Sequence, residues 1–528
     1  MTETLEIGVP EAAGVPRARQ MLERARWAAR TFATYDRASV ARIVEAVARA
    51  AEDKAEHYAE WAVRETGFGV VEHKALKNRL CSRGIVDAYR DDDFVTPRTD
   101  TERKIVEIPR PAGVVLALTP STNPVSTVYF KVLLALMTRN AVVLSPHPFA
   151  KECCADAART LGAAAVEAGA PDGVVQVVDD PSIPLIDALM TDPRTDVILA
   201  TGGVPVVRAA YASSNPAIGV GPGNVPVLVD ATADLRRAAD KLISSKAFDN
   251  SVLCTNESVV VVEEAVADRF VREMQRVGAH LLSPEDRDRV RDTVFPGGRF
   301  DASLVGKDAV TIAAKAGVKV PGRTRVLLAP FELAVPEEPL AHEKLCPVLG
   351  LVRVPSAHRG IRTAVALLRI GGAGHSAVVH STDPATVMAY AAAVQVLRVT
   401  VNEGGSTGSA GFDTHLAPSM TIGTGFVGRS SLGENLEPRH LVNHTRIAYS
   451  TDPAEVLPSY EGLDPWDEPP PQVPPYPVAS NLAAGAAGGL TPVPAVPSAA
   501  HASAGEVGEL REELRRLILE ELDTIIRG

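Results

Sequence analysis

From Lys104 onward the chain alternates short runs rich in β-branched residues with alanine-rich stretches of helical character. The short runs are IVEI, GVVLALTP, AVVLSP, VVQVV, DVILATGG and VPVLVD. This alternation indicates βαβ units around a mostly parallel sheet. Residues 16–90 instead show helical spacing of apolar residues among Ala, Glu and Arg. We therefore predict an α/β fold that begins with helices and has the architecture of nucleotide-binding proteins.

Three of the predicted strands end in small residues that lead into a helix. These turns are Thr119–Pro124, Ser145–Lys151 and Ala200–Val204. Open α/β sheets bind ligands at such carboxyl ends, and a helix N-terminus attracts phosphate. A phosphate is therefore expected near the helix that begins at Gly203.

The glycines Gly219, Gly221 and Gly223 superficially match a dinucleotide-binding fingerprint. A predicted strand follows them, whereas the fingerprint requires a helix. We reject that interpretation. Two alternatives stay open: a plain structural turn, or a loop that brings backbone close to a ligand.

Composition excludes several functional classes. The chain has 528 residues, enough for two to four domains, and a net charge of -11. No sustained basic run is present, so a nucleic-acid partner is not expected. Five sparse cysteines without CxxC pairs predict no metal site and a reducing cytosol. No run approaches 18 apolar residues, so no membrane association or signal peptide is expected.

The polar turn FDNSVLCTNES, Phe248–Ser258, carries the candidate nucleophile Cys254. It precedes the apolar run Val259–Val262, and a loop beside a strand can present a thiol to a substrate. Near neutral pH a thiol is a better nucleophile than a hydroxyl, because part of it is already thiolate. The alternative is a small buried hydrophobic residue, which describes most free cysteines.

The C-terminal part has a different composition. Of the 40 prolines, 12 lie in the 53 residues Thr451–Ser503, which we predict to be a disordered Pro/Ala-rich linker. Residues 504–528 contain apolar side chains at helical spacing from Glu506 to Arg527. An amphipathic helix on a long tether is expected to dock into a partner or to self-associate. A coiled-coil or capping helix of the same chain is the alternative.

Eight blocks in order resemble the CoA-acylating aldehyde dehydrogenases. Besides FDNSVLC they are LTPSTNP, SPHPFAK, ATGGVPVVRAAY, GVGPGNVPV, AHEKLCPVL, GGAGHS and LAPSMTIGTG, within Arg17–Tyr449. The chain is most similar to the acetaldehyde and propanal dehydrogenases of bacterial microcompartments, and to the aldehyde half of bifunctional aldehyde-alcohol dehydrogenases.

The resemblance implies an aldehyde dehydrogenase fold. Residues 1–224 would form a Rossmann-like cofactor domain, to which 411–441 return, and 225–410 an α/β catalytic domain. Residues 101–111 and 440–450 would form a small β oligomerisation arm, which implies a homodimer or homotetramer.

The resemblance also implies a reaction. The Cys254 thiolate would attack the aldehyde, with Asn123 and the Cys254 N–H as oxyanion donors. Hydride transfer to NAD would leave an acyl-enzyme thioester. Hydrolytic relatives carry a glutamate 34 residues before the cysteine, where this chain has Val220. That substitution favours acyl transfer to coenzyme A. A hydrolytic dehydrogenase, a semialdehyde reductase acting on an acyl phosphate and a non-catalytic assembly protein are the alternatives.

Cofactor residues are carried over only where the motif matches. Glu343 would hold the nicotinamide ribose, although a surface carboxylate is the alternative. Ser145, Pro146 and His147 would line the adenosine site, and Thr119, Thr201, Gly202 and Gly203 the rest of the cofactor. His375 resembles a Gly-His pair near the pocket, but a structural histidine is equally expected.

The tail resembles a microcompartment encapsulation peptide. It implies shell or cargo proteins as partners, and a cytoplasmic location inside a bacterial microcompartment. The expected substrate is a short aldehyde, propanal or acetaldehyde.

Overall fold

The computed structural model describes residues 14–463 and 465–466. In chain order the helices are α1 (Val15–Phe32), α2 (Arg37–Asp53), α3 (Ala55–Thr66), α4 (Val71–Arg79), α5 (Ile85–Ala88), α6 (Pro124–Met137), α7 (Lys151–Glu167), α8 (Ile183–Thr191), α9 (Val204–Ala212), α10 (Leu235–Ala247), α11 (Glu264–Arg276), α12 (Pro284–Val294), α13 (Ala309–Lys315), α14 (Ala357–Ile370), α15 (Pro384–Ala393) and α16 (Gly405–Gly408). The strands are β1 (Arg98–Asp100), β2 (Ile105–Pro111), β3 (Val114–Thr119), β4 (Ala141–Pro146), β5 (Val175–Val177), β6 (Val197–Thr201), β7 (Ala217–Val220), β8 (Val225–Val229), β9 (Glu257–Glu263), β10 (Ala279–Leu281), β11 (Val326–Pro330), β12 (Val348–Val354), β13 (Ala377–His380), β14 (Val399–Val401) and β15 (Val442–Ala448).

The N-terminal helices pack on a five-stranded sheet. Its order is β5-β4-β3-β6-β7, and every neighbouring pair is parallel. Local signals account for the helices: the Asp36 carboxylate caps α2 by accepting from Ser39 N, and Pro124 starts α6. All residues of α6 are buried, as expected of a helix that is apolar all round. One hydrophobic cluster unites these elements.

A seven-stranded parallel sheet follows in the chain. Its order is β10-β11-β12-β9-β8-β13-β14. Side chains of β9 alternate between two clusters: Val260 and Val262 pack on one face, Val259 and Val261 on the other. The predicted α/β class with parallel sheets is confirmed.

A small antiparallel sheet, β1-β2-β15, completes the fold. Strand β15 pairs with β2 from Val442↔Pro111 to Ala448↔Ile105. Met420, Leu432 and Leu436 pack into the same cluster as the five-stranded sheet. The domain limits and the role of the arm in oligomerisation remain predictions.

The segment after β15 corrects the predicted start of the linker. Lys104 Nζ donates to the carbonyls of Ser450, Asp452 and Glu455, and the hydroxyls of Tyr449 and Tyr460 lie 2.7 Å apart. Residues 451–463 therefore lie folded beside the arm, although the proline content predicts disorder. The rest of the predicted linker, from residue 467, and the predicted helix at 504–528 lie outside the described residues. None of the described helices is long and apolar enough to cross a membrane.

Candidate active site

Four predicted or suspected site residues precede adjacent strands of the seven-stranded sheet. Gly223 precedes β8, Cys254 precedes β9, Glu343 precedes β12 and His375 precedes β13. These strands are neighbours in the order β12-β9-β8-β13 and run parallel. Their amino ends meet at one edge of the sheet, so the fold brings together residues up to 152 positions apart in the sequence.

The residues predicted to bind cofactor end strands of the five-stranded sheet. Thr119 ends β3, Pro146 ends β4 next to Ser145, and Thr201 ends β6. Strand β3 lies between β4 and β6, so the strand order reverses there. Open α/β sheets bind ligands at the carboxyl ends of strands beside such a switch point.

This carboxyl edge fits an extended dinucleotide. Thr119 Oγ1 is buried and has no partner among the described side chains. A Cβ at Gly202 or Gly203 would meet no atom closer than 3.7 Å, so the turn before α9 leaves its backbone accessible. Thr201 Oγ1 lies 3.1 Å from Thr421 Oγ1. His147 is exposed, and its Nδ1 accepts from Phe149 N at 3.2 Å.

Gly223 brings the connection between the two sheets against Phe248–Ser258, the loop that carries Cys254 (the cysteine loop). A Cβ there would lie 2.0 Å from the Cys254 carbonyl oxygen and 3.1 Å from Glu343 Oε1. The Gly223 N–H donates to Glu343 Oε1 at 3.1 Å. Of the two interpretations of this glycine loop, the structure supports close backbone approach.

Cys254 is partly exposed, while the other four cysteines of the chain are buried. Burial raises the pKa of its thiol to about 12, the negative charge of Glu343 acts in the same direction, and Arg398 opposes both. Cys254 is thus the one cysteine that a substrate can reach. Its ionisation depends on the charges around it.

Glu343 is turned toward the site, which excludes the alternative of a surface carboxylate. Burial raises its pKa to about 7, against the effects of the Gly223 N–H, Lys246 and Lys344. The charge of Glu343 therefore changes near neutral pH, and its effect on the pKa of the Cys254 thiol changes with it. The role of Glu343 toward the ribose remains a prediction.

Asn123 stands at the N-cap position of α6, immediately after the switch point, and is buried. Its Oδ1 accepts a hydrogen bond from Lys77 Nζ at 2.5 Å, and its Nδ2 lies 3.3 Å from Thr122 Oγ1. Lys77 also pairs with Asp249, which belongs to the cysteine loop. Asn123 is therefore linked to that loop through one lysine.

Lys74, Lys77 and Asp249 were missed by the sequence reasoning. The sequence signal was available in retrospect: two lysines spaced i, i+3 on α4, and an Asp-Asn pair before the cysteine. Exposed lysines at that spacing are ordinary, and only the tertiary structure shows that these are buried.

His375 is buried. Its Nδ1 lies 3.0 Å from Ser376 Oγ, while Nε2 has no partner among the described side chains. Burial and, to a smaller extent, the charge of Arg398 lower its pKa to about 3, so the imidazole is neutral. His375 therefore differs from a structural histidine in which both ring nitrogens are hydrogen-bonded.

Among the described residues, one group of side chains places its carboxylate oxygens and imidazole nitrogen within 4.8 Å of one another: Glu434, Glu437 and His440. Arg439 pairs with both carboxylates, and His440 Nδ1 accepts from Glu437 N. These contacts account for the group as an ion-pair network.

The fold defines an α/β class with two parallel sheets, one with a switch point at its carboxyl edge and the other with a partly exposed cysteine at its amino edge. The aldehyde dehydrogenase family profile matches residues 3–414. The chain belongs to the aldehyde dehydrogenase family.

Among curated relatives, the bifunctional aldehyde-alcohol dehydrogenase AdhE of Escherichia coli K12 is 39% identical over 435 residues. The match covers 81% of this chain and 49% of the relative, so this chain spans about half of that protein.

The matches to solved structures extend over nearly the whole length of those chains. An acetylating aldehyde dehydrogenase from Geobacillus thermoglucosidasius is 37% identical, with a TM-score of 0.81, over 83% of this chain and 97% of that one. A propionaldehyde dehydrogenase from the fucose utilisation bacterial microcompartment of Clostridium phytofermentans is 30% identical, with a TM-score of 0.76 over 84% and 98%. Rhodopseudomonas palustris propionaldehyde dehydrogenase with bound propionyl-CoA is 28% identical, with a TM-score of 0.75 over 82% and 94%.

Proposed function

We propose that the protein is an NAD-dependent, CoA-acylating dehydrogenase of short aldehydes. The observation that carries the proposal is the pairing of a reachable Cys254 with Val220 where a hydrolytic enzyme would hold its base. Val220 is buried at the end of β7 and brings no proton acceptor. The similarity to an acetylating aldehyde dehydrogenase and to a propionaldehyde dehydrogenase with bound propionyl-CoA supports the same conclusion.

The proposed steps use this chain's own groups. The Cys254 thiol releases its proton to solvent, and its thiolate Sγ forms a bond to the aldehyde carbon as the carbonyl π bond opens. The resulting oxyanion accepts from Asn123 Nδ2 and the Cys254 N–H. NAD supplies the hydride acceptor when bound. Loss of hydride from the aldehyde carbon leaves a thioester on Cys254. The CoA thiolate then attacks that thioester, and Cys254 leaves as the thiolate.

The test compares NADH formation from propanal with and without CoA. We expect fast steady turnover only with CoA, and propionyl-CoA as the product by mass spectrometry. Without CoA we expect a burst of about one NADH per site, because the acyl-enzyme accumulates. Equal steady rates without CoA, with free propionate as product, would establish the hydrolytic alternative.

Substrate size and cofactor choice are part of the proposal. We propose propanal or acetaldehyde as substrate, NAD as cofactor and coenzyme A as acyl acceptor. The proposed cofactor residues are Thr119, Ser145, Pro146, His147, Thr201, Gly202, Gly203 and Glu343. Measuring kcat/KM for two- to four-carbon aldehydes, with NAD and with NADP, ranks the substrates and both cofactors.

Location is a separate proposal. We propose that residues 504–528, which lie outside the described residues, direct the enzyme into a bacterial microcompartment through shell or cargo proteins. The solved relative from a microcompartment supports this. A fluorescent protein fused to residues 451–528 should form puncta only in cells that make the shell. Diffuse fluorescence in both cell types would disprove the proposal.

Subunit assembly as a homodimer or homotetramer is proposed through the arm, residues 101–111 and 440–450, which contains β2 and β15. Light scattering of the full chain after gel filtration gives the subunit number directly. A monomeric mass across micromolar concentrations would reject the arm as an oligomerisation element.

A further inference from the structure

Two lysines and one aspartate are buried together behind the candidate site. Relative exposure is 3% for Lys74, 1% for Lys77 and 0% for Asp249. Lys74 Nζ lies 3.0 Å from Asp249 Oδ2, and Lys77 Nζ pairs with the same oxygen. Burying charges costs free energy even when they are paired. A cluster with more ammonium groups than carboxylates therefore calls for an explanation other than stability.

Asp249 is fixed by the chain on both sides of its carboxylate. Its Oδ1 accepts from Val70 N at 2.7 Å, and its own N–H donates to His73 Nδ1 at 2.9 Å. Asp249, Asn250 and Ser251 all have positive φ, between 49° and 66°, which non-glycine residues rarely adopt. A costly backbone conformation is thus maintained just before Cys254, and Asp249 holds it to α4.

Lys77 extends this fixed cluster to Asn123. Its ammonium donates to Asn123 Oδ1, which determines the orientation of the amide: the oxygen faces Lys77 and Nδ2 faces away. A buried amide rotated by 180° would place Nδ2 against an ammonium group, an arrangement without a hydrogen bond. Only Nδ2 can donate to an oxyanion, so the orientation of this amide decides whether the donor exists.

We infer that Lys77 is the positioning residue of the oxyanion site: anchored on Asp249 of the cysteine loop, it holds the Asn123 amide with Nδ2 toward the substrate and polarises it. This inference rests on the proposed function. It joins both oxyanion donors, Asn123 Nδ2 and the Cys254 N–H, to one buried ion pair. Lys74 has a different task, because it bonds the Thr122 carbonyl at 3.0 Å and Asp249, with no bond to the amide.

The primary test measures the pre-steady-state NADH burst from propanal in full-length variants. We expect K77M to slow the burst about 30-fold, below the 10²–10³-fold typical of deleting a whole oxyanion donor. K74M is the matched control, since it removes a buried ammonium from the same carboxylate. We expect it to lower the melting temperature as much as K77M but to slow the burst less than about threefold.

A double-mutant cycle separates positioning from general stabilisation. If Lys77 acts through Asn123, the K77M/N123A variant is no slower than N123A alone. The inference is overturned if the two substitutions slow the burst by factors that multiply, or if K77M slows the burst no more than K74M does. If K77M fails to fold, K77Q serves instead, because its amide keeps a neutral donor: we expect a burst intermediate between wild type and N123A. A K77Q burst equal to wild type would also overturn the inference.

The pH dependence of the burst rate gives an independent readout, because Lys77 loses its charge as the pH rises. Burial lowers the pKa of Lys77 to about 8, with Asp249 opposing and Lys74 reinforcing that shift; Cys81 and His73 are the other titratable groups that interact with it. The ratio of wild-type to K77M burst rates should therefore shrink as pH rises above 8. A ratio that stays constant from pH 7 to 9.5 would contradict the charge part of the inference. A wild-type enzyme without any NAD-dependent burst would instead reject the proposed function.

Discussion

The two parallel sheets approach the site with opposite ends. The five-stranded sheet presents carboxyl ends, where Thr119, Ser145 and Thr201 are small and uncharged. The seven-stranded sheet presents amino ends, where the candidate nucleophile Cys254 and the carboxylate of Glu343 lie. A carboxyl edge followed by helices offers backbone N–H groups and helix N-termini, which suit an extended anionic cofactor. The amino edge places a thiol and a carboxylate beside a few backbone donors, such as the Gly223 N–H that donates to Glu343.

Buried charged side chains surround the amino edge. Glu257, Lys246 and Lys344 are almost completely buried around the amino edge. Glu257 accepts from Gly405 N at 2.6 Å and from Ser245 Oγ at 2.9 Å. Side chains that act chemically need fixed positions, and hydrogen-bonded charges supply them. The carboxyl edge has a buried charge as well, because Lys131 donates to the carbonyls of Leu118 and Leu199.

The largest effect is expected at the amino edge from C254A. Because no other thiol is reachable, NADH formation should fall by at least about 10³-fold. C154A, a buried cysteine of α7 in the other part of the molecule, is the matched control and should retain activity. NADH absorbance measures both. NADH formation by C254A at the wild-type rate would show that Cys254 is not the nucleophile, and no NADH formation by either protein would favour the non-catalytic assembly alternative.

The contact between the edges is tested by G223A. A methyl group 2.0 Å from the Cys254 carbonyl must displace the cysteine loop. We expect kcat to fall about 10²-fold and the melting temperature to drop, because small misplacements of reacting groups are costly. G221A, two residues earlier, has its nearest atom at 4.0 Å and should keep the wild-type melting temperature. Equal melting curves for the two variants would show that the close approach is absent.

A charge test at the amino edge uses E343Q. The Glu343 carboxylate raises the Cys254 pKa, so the neutral glutamine should lower that pKa below the wild-type value of about 12. Alkylation of Cys254 by iodoacetamide at pH 8 should therefore be faster in E343Q, and protonation of Glu343 below pH 7 should mimic the substitution in wild type. If Glu343 also holds the ribose, KM for NAD should rise about tenfold. E337Q, an exposed carboxylate nearby, should change neither quantity.

The smallest effect is expected at the carboxyl edge from G203A. The added methyl would meet no protein atom closer than 3.7 Å, so the fold should tolerate it. The methyl would, however, clash with a cofactor pyrophosphate bound beside this backbone. We therefore expect KM for NAD to rise severalfold with little change in kcat. G322A, with open space around it, is the control. An unchanged KM would move the cofactor away from the turn before α9.

Much of this arrangement was predictable from local sequence. Apolar runs between helices predicted the parallel sheets, and the small residues after β3, β4 and β6 predicted where a ligand edge would form. The ordered blocks around Cys254, Asn123 and Glu343 predicted the family, which the comparisons confirm. The start of the linker was wrong for residues 451–463, because Lys104 Nζ bonds three carbonyls that a composition argument does not see.

The sequence by itself determined the fold class and the family and predicted Cys254 as the nucleophile, since each depends on residue type and spacing along the chain. Only the tertiary structure decided how the sheets meet and which charges support the site. Lys77 and Asp249 are 172 residues apart, and Asn123 is 46 residues from Lys77. A lysine in a helix is ordinarily solvated. Burial against a strained loop, which arises only when distant segments pack, gives this lysine a defined partner and a shifted pKa.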